Sequence, residues 1–83
     1  MSTISIPSDL LLRESVRTAI EQYFSKLDGG SAANIYDLVL CEVERPLLET
    51  VMQYAQGNQS KAAKWLGLSR NTLRKLLGKY DIQ

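Results

Sequence analysis

From Leu12 onward, apolar residues recur every three or four positions, at Leu12, Val16, Ala19, Ile20, Tyr23, Phe24 and Leu27. This is the spacing of one helical face, and it predicts a first helix that stops at Asp28-Gly29-Gly30. Ahead of it Ile4 and Ile6 alternate before Pro7, and residues 1–11 are predicted to form a short, flexible extended arm. A second helix should begin near 31–34, where Asn34 can cap the following amides and Asp37 suits the positive end of the helix dipole. It should run to about Ala55. Pro46 removes one backbone hydrogen bond in the middle of this run and should bend it. The flanking Glu42-Val43-Glu44-Arg45 and Leu47-Leu48-Glu49-Thr50-Val51-Met52 contain no turn-forming cluster, so one kinked helix is expected and not two.

The rhythm then shortens. Gly57 can supply the turn out of the second helix, and Asn58 is a good N-cap for a helix over Gln59 to Leu66. Ala63 stands four positions before Gly67, small enough to let two short helices cross closely, while Gly67 can take the positive φ of a sharp exit. Leu68 fills the corner and Ser69 caps a last helix from Arg70 to about Lys79, whose final turn Gly78 should let fray. On that helix Leu73, Leu77 and Tyr80 form one apolar stripe, which leaves Arg70, Asn71, Arg74 and Lys75 for a partner. The prediction is an all-α chain of four helices that ends in a helix-turn-helix.

Charge sharpens this picture. The overall +1 hides an asymmetry: residues 1–57 carry four basic and eight acidic groups, whereas 58–83 carry six basic groups against the single acid Asp81. A basic segment in helix-turn-helix pattern points to DNA, because arginine can meet a guanine edge with two hydrogen bonds and lysine can reach guanine or phosphate. Enzyme chemistry is not expected. The 83 residues contain no His, no glycine-rich phosphate loop and no metal-ligand cluster, so neither cofactor nor metal is expected. Glu42, Glu44 and Glu49 read as solvated carboxylates, and Trp65 as a ring packed on the second helix or the domain surface. Cys41, the single cysteine, reads as a small hydrophobe in a reducing compartment. With no membrane span and no leader pattern, a soluble cytosolic protein is expected.

Helix two also predicts a partner. Ile35, Leu38, Val39, Leu40, Val43, Leu47, Leu48, Val51, Met52 and Tyr54 surround it almost completely. In so small a chain one side is expected to pack on the first helix and the helix-turn-helix while another meets a second copy, since soluble monomers rarely expose a large apolar patch.

These residues together resemble the Fis family of bacterial nucleoid-associated proteins. The matching text is Leu12-Arg13 with Ser15-Val16, Tyr36-Asp37-Leu38-Val39-Leu40, Glu42-Val43-Glu44, Pro46-Leu47-Leu48, Val51-Met52-Gln53-Tyr54, Gly57-Asn58-Gln59, Ala62-Ala63 and Thr72-Leu73-Arg74-Lys75. It covers about residues 12–81. The resemblance implies a homodimer whose first two helices, residues 12–57, interlace into a core with Val39, Val43, Pro46, Leu47 and Val51 at its centre, and whose 58–83 units bind double-stranded DNA. It implies binding to degenerate sites through the major groove, DNA bending, transcription regulation and a place at the bacterial nucleoid, with RNA polymerase or a recombinase as further partners to consider. Base-edge contacts fall to Arg70 and Lys75. Backbone contacts fall to Asn58, Ser60, Lys61, Ser69, Asn71, Thr72, Arg74 and Lys79.

Three departures stand out. Leu76 and Gly78 occupy positions where enteric members have lysines, Ser69 replaces a common asparagine, and the arm before Leu12 is shorter than the family's recombinase-activating hairpin. Two other readings fit parts of the chain. The carboxy-terminal DNA-binding domain of an activator that works with the alternative sigma factor shares the Arg-Asn-Thr-Leu run, although Met1 reads as a start and the first helix matches the free-standing proteins. A helical protein-interaction module would need apolar anchors on the exposed face of the last helix, where Leu76 is the one contender.

Overall fold

The computed structural model describes residues 11–27 and 30–83. Four helices follow one another, α1 (Leu12–Leu27), α2 (Ile35–Tyr54), α3 (Gln59–Leu66) and α4 (Arg70–Tyr80), with no strand among the described residues. The all-α expectation holds, and so does the single second helix, which runs for 20 residues through Pro46. The arm expected over 1–11 lies outside the described residues except for Leu11. Asp28 and Gly29, expected to close α1, lie outside them too.

The chain divides into two compact units, Met1–Val39 and Leu40–Gln83. In the first, α1 buries none of its side chains, and Leu12 and Phe24 are half exposed. Tyr23 and Phe24 meet edge to face with ring centres 5.8 Å apart, and Arg17 pairs with Glu14 across one turn. Asn34 enters α2 with a positive φ of 55°, giving its carbonyl to Leu38 N. That backbone is left-handed, unlike the extended backbone of a side-chain cap.

The second unit holds the core. Leu48, Met52 and Ala55 from α2 and its exit meet Ala62 and Ala63 of α3 and Leu73, Leu77 and Tyr80 of α4, all buried. Cys41, Val51, Leu66, Leu76 and Ile82 pack at the edge of this cluster. Leu48 and Leu73 are the largest fully buried side chains, each worth roughly 1.5–3 kcal/mol of burial. The alanines matter by being small: at 0% and 4% exposure, Ala62 and Ala63 leave no room for larger side chains where α3 crosses its neighbours.

Three helices end in the same way. The amides of Gln56 and Gly57 bond back to Gln53 and Met52, those of Gly67 and Leu68 to Lys64 and Ala63, and those of Asp81 and Ile82 to Gly78 and Leu77. Each pair is a Schellman motif with a left-handed residue at its corner: Gln56 at φ 56°, Gly67 at 75° and Asp81 at 57°. The exit from α2 therefore turns on Gln56 as well as on Gly57. α4 continues past Gly78 to Tyr80, which is buried, and the corner at Asp81 satisfies the final carbonyls.

Candidate nucleic-acid interface

The turn between α3 and α4 is built from residues with defined local tasks. Asn58 sits in extended backbone and its Oδ1 accepts from Lys61 N at 3.0 Å, opening α3. Gly67 closes α3 in the left-handed region. Ser69, again extended, accepts from Thr72 N at 3.1 Å and opens α4. Its hydroxyl also donates to Thr72 Oγ1 at 2.8 Å, so the Thr72 hydroxyl keeps its own proton to give to an acceptor outside the chain. By helix geometry the amides of Arg70 and Asn71 precede the first intrahelical bond, and they point out of the positive end of the α4 dipole.

Burial fixes which side of α4 faces outward. Leu73, Leu77 and Tyr80 are buried and Leu76 is half-buried, whereas Arg70, Asn71, Thr72, Arg74, Lys75, Gly78 and Lys79 are exposed. Helical spacing sorts the exposed residues into three adjacent stripes: Arg70 with Arg74, then Asn71 with Lys75 and Gly78, then Thr72 with Lys79. The first two stripes bring together the residues expected to read bases, Arg70 and Lys75, with Arg74 and Asn71 beside them. Leu76 packs on the core, so this face presents no apolar anchor. Asn58, Ser60 and Lys61 are exposed at the start of α3 and Ser69 at the start of α4.

Lys79 stands apart from the other cations of α4. Its Nζ lies 3.9 Å from Glu44 Oε1 and 5.2 Å from the centre of the Tyr80 ring. Glu44 corrects the expectation of a solvated carboxylate: its side chain is 22% exposed and it accepts the Tyr80 hydroxyl. That hydrogen bond holds the Tyr80 phenol well above its usual pKa, with burial and the neighbouring Cys41 adding to the effect. Arg45 completes the anchor by donating to the Tyr80 carbonyl at 3.1 Å, with its guanidinium 5.3 Å from the ring centre. A cation on the last carbonyls of a helix favours its negative dipole end. No local sequence signal marked Glu44 or Arg45, because their partner lies more than 30 positions away.

Trp65 corrects a second expectation. It is 54% exposed within this chain, with Lys61 Nζ 5.1 Å from the ring centre, since Ala62, Ala63 and Leu66 already supply the packed side of α3. Of the residues expected at a dimer core, Val39, Val43 and Val51 are half-buried and Pro46 and Leu47 are exposed. Among the described residues no three His, Cys, Asp or Glu side chains group as metal ligands. No described helix is long and apolar enough to cross a membrane.

A family model for bacterial regulatory proteins of the Fis family matches residues 39–80. The chain is 58% identical over 71 residues to a protein named DNA-binding protein Fis from Actinobacillus succinogenes, a match that covers 86% of this chain and 72% of the relative. Proteins of the same name from Yersinia enterocolitica and from an Enterobacter strain are 54% identical over 71 residues, with the same coverage.

Proposed function

We propose that this chain, which belongs to the Fis family of bacterial regulatory proteins, is a non-enzymatic regulator that binds double-stranded DNA as a homodimer. The observation that carries the reading is the outward face of α4. Arg70, Arg74, Lys75 and Asn71 stand exposed on a helix whose opposite stripe is locked into the core, which is the form of a helix that enters a major groove. Arg70, at the start of the helix, is suited to a guanine edge, and Lys75 to a base or the adjoining phosphate. Asn58, Ser60, Lys61, Ser69, Asn71, Thr72 and Arg74 ring these two with short donors and cations, as backbone contacts require. The exposed amides at the start of α4 suit phosphate as well.

Residues 12–57 serve dimerisation, with Val39, Val43, Pro46, Leu47 and Val51 at the interface, and residues 58–83 serve DNA. The apolar side chains left half exposed in one chain support this: Leu12, Phe24, Leu38 and Leu47 are positions that a second copy would cover. Two such units in a symmetric dimer meet successive major grooves about 34 Å apart on straight DNA. A compact core that holds them closer bends the duplex, and specificity then comes largely from deformability at uncontacted steps. The protein so read works at the nucleoid in the bacterial cytoplasm, as a DNA-bending transcription regulator with RNA polymerase or a recombinase as a further partner.

The test is a gel-shift titration on a duplex of about 30 bp with G…C-flanked half-sites and an AT-rich centre, at two salt concentrations, beside light scattering of the free protein. Tight, salt-sensitive binding by a dimer is expected. A well-folded protein that ignores the duplex at low salt would turn the basic face over to a protein partner.

A further inference from the structure

Six cations fill residues 58–83: Lys61, Lys64, Arg70, Arg74, Lys75 and Lys79. Among the described residues, Lys79 is the one of these six with a carboxylate in ion-pair reach. That carboxylate is not a wandering surface charge. Glu44 is fixed by the Tyr80 hydroxyl, and the Tyr80 ring that Lys79 also touches is buried.

We propose that Glu44 restrains DNA affinity by holding Lys79 at the end of α4, so that the DNA-binding face ends before the helix does. The proposal rests on the DNA-binding reading of α4 and adds to it a residue that limits binding. Lys79 shares its stripe with Thr72 at the edge of the outward face, where a cation reaches backbone beside the groove. To reach phosphate it must leave Glu44, and an ammonium already neutralised by a carboxylate releases few counterions when it does. Glu44, which stays bonded to the Tyr80 hydroxyl, then remains as a negative charge without its cation near the end of α4. Both effects oppose binding of flanking DNA, and both disappear when the carboxylate is made neutral. Gln at this position keeps an oxygen to accept the Tyr80 hydroxyl, so the anchor of α4 persists while the charge does not.

The experiment is a double-mutant cycle of Glu44→Gln and Lys79→Ala on the full chain, read on a duplex of about 30 bp at several salt concentrations, with circular dichroism to verify the fold. Glu44→Gln should tighten binding roughly three- to tenfold at low salt and steepen the salt dependence by about one phosphate. Lys79→Ala should change native affinity less than about twofold, yet undo most of the gain when added to Glu44→Gln. An unchanged affinity in Glu44→Gln, or a gain that survives Lys79→Ala, overturns the restraint. Lys79→Ala alone keeps the proposal exposed even where Glu44→Gln folds poorly, because a roughly tenfold loss in the native chain would make Lys79 an ordinary phosphate contact. A DNA-free readout separates this proposal from the reading beneath it. Lysine side-chain NMR of the free protein should show the Lys79 ammonium more ordered than that of Lys64, and Glu44→Gln should abolish the difference. Equal mobility in the native protein overturns the restraint whatever the DNA result. An ordered Lys79 in a protein that binds no duplex instead overturns the DNA reading and with it any role for the pair in affinity.

Discussion

Tyr80, the last residue of α4, donates its hydroxyl to Glu44 Oε1 at 2.5 Å, fastening the end of this helix to a residue of α2 that stands 36 positions earlier. Arg45, the next residue of α2, takes the carbonyl of the same tyrosine. The side chain and the main chain of one residue are therefore held by two neighbours on another helix, while Leu73 and Leu77 pack the preceding turns. A helix held along its length in this way gives its outward side chains a fixed backbone, which the base reading proposed for Arg70 and Lys75 requires.

Alkali should expose that anchor. Ionising Tyr80 would set a phenolate against the Glu44 carboxylate, and its pKa in the folded protein is raised accordingly, first by the hydrogen bond to Glu44 and then by burial. The unfolded chain releases the proton near the ordinary value of about 10. The stabilisation is thus complete below about pH 10 and is lost as pH rises above it. Urea unfolding at about pH 9, 10 and 11 should show stability falling more steeply in the native protein than in Tyr80→Phe. Parallel declines would mean that some other group governs the alkaline limb.

Arg70→Ala should cost most in specific binding, on the order of 1–3 kcal/mol, and flatten the preference at one base position in each half-site. Lys75→Ala and Arg74→Ala should weaken all sequences more evenly and lower the salt slope by about one phosphate each. Binding-site selection with each variant separates the two behaviours. A preserved base preference in Arg70→Ala would remove it from the reading role.

The helix-turn-helix was legible because its constraints are local. Asn58, Gly67 and Ser69 each show their task in a side chain or its absence, and the stripe of Leu73, Leu77 and Tyr80 lies at helical spacing. The three C-terminal corners were legible only in part, since a left-handed residue announces itself when it is glycine, as at Gly67, and not when it is Gln56 or Asp81. The ties of Glu44 and Arg45 to Tyr80 join distant positions by hydrogen bonds that no periodicity records. Trp65 misled for a related reason: large aromatics usually pack, but the two alanines and Leu66 had already filled the contact side of α3.

Gly78 offers a gain in stability. It lies inside α4 with an ordinary helical φ, its outer side is open, and a Cβ built there meets nothing within 4 Å. Gly78→Ala should therefore stabilise the protein by roughly 0.5–1 kcal/mol, mainly by narrowing the unfolded ensemble. Gly78→Lys should give a similar gain and, because the position shares a stripe with Asn71 and Lys75, steepen the salt dependence of DNA binding by about one phosphate. Denaturant midpoints at constant slope measure the first effect and gel shifts the second. A loss of stability in Gly78→Ala would mean that the close approach of a partner copy or of another surface requires the glycine.

Leu47 tests the dimer most directly. It is 47% exposed in one chain and stands beside Pro46 in the middle of α2, while the helix-turn-helix core is built from Leu48 and Met52 next to it. If Leu47 met only water, Leu47→Glu would change stability by less than about 0.5 kcal/mol. At an interlaced interface the same change puts two carboxylates into an apolar contact on which the fold of both chains depends. The expected result is loss of helical signal in circular dichroism together with loss of the dimer in light scattering. A folded, stable monomer from Leu47→Glu would contradict the interlaced core.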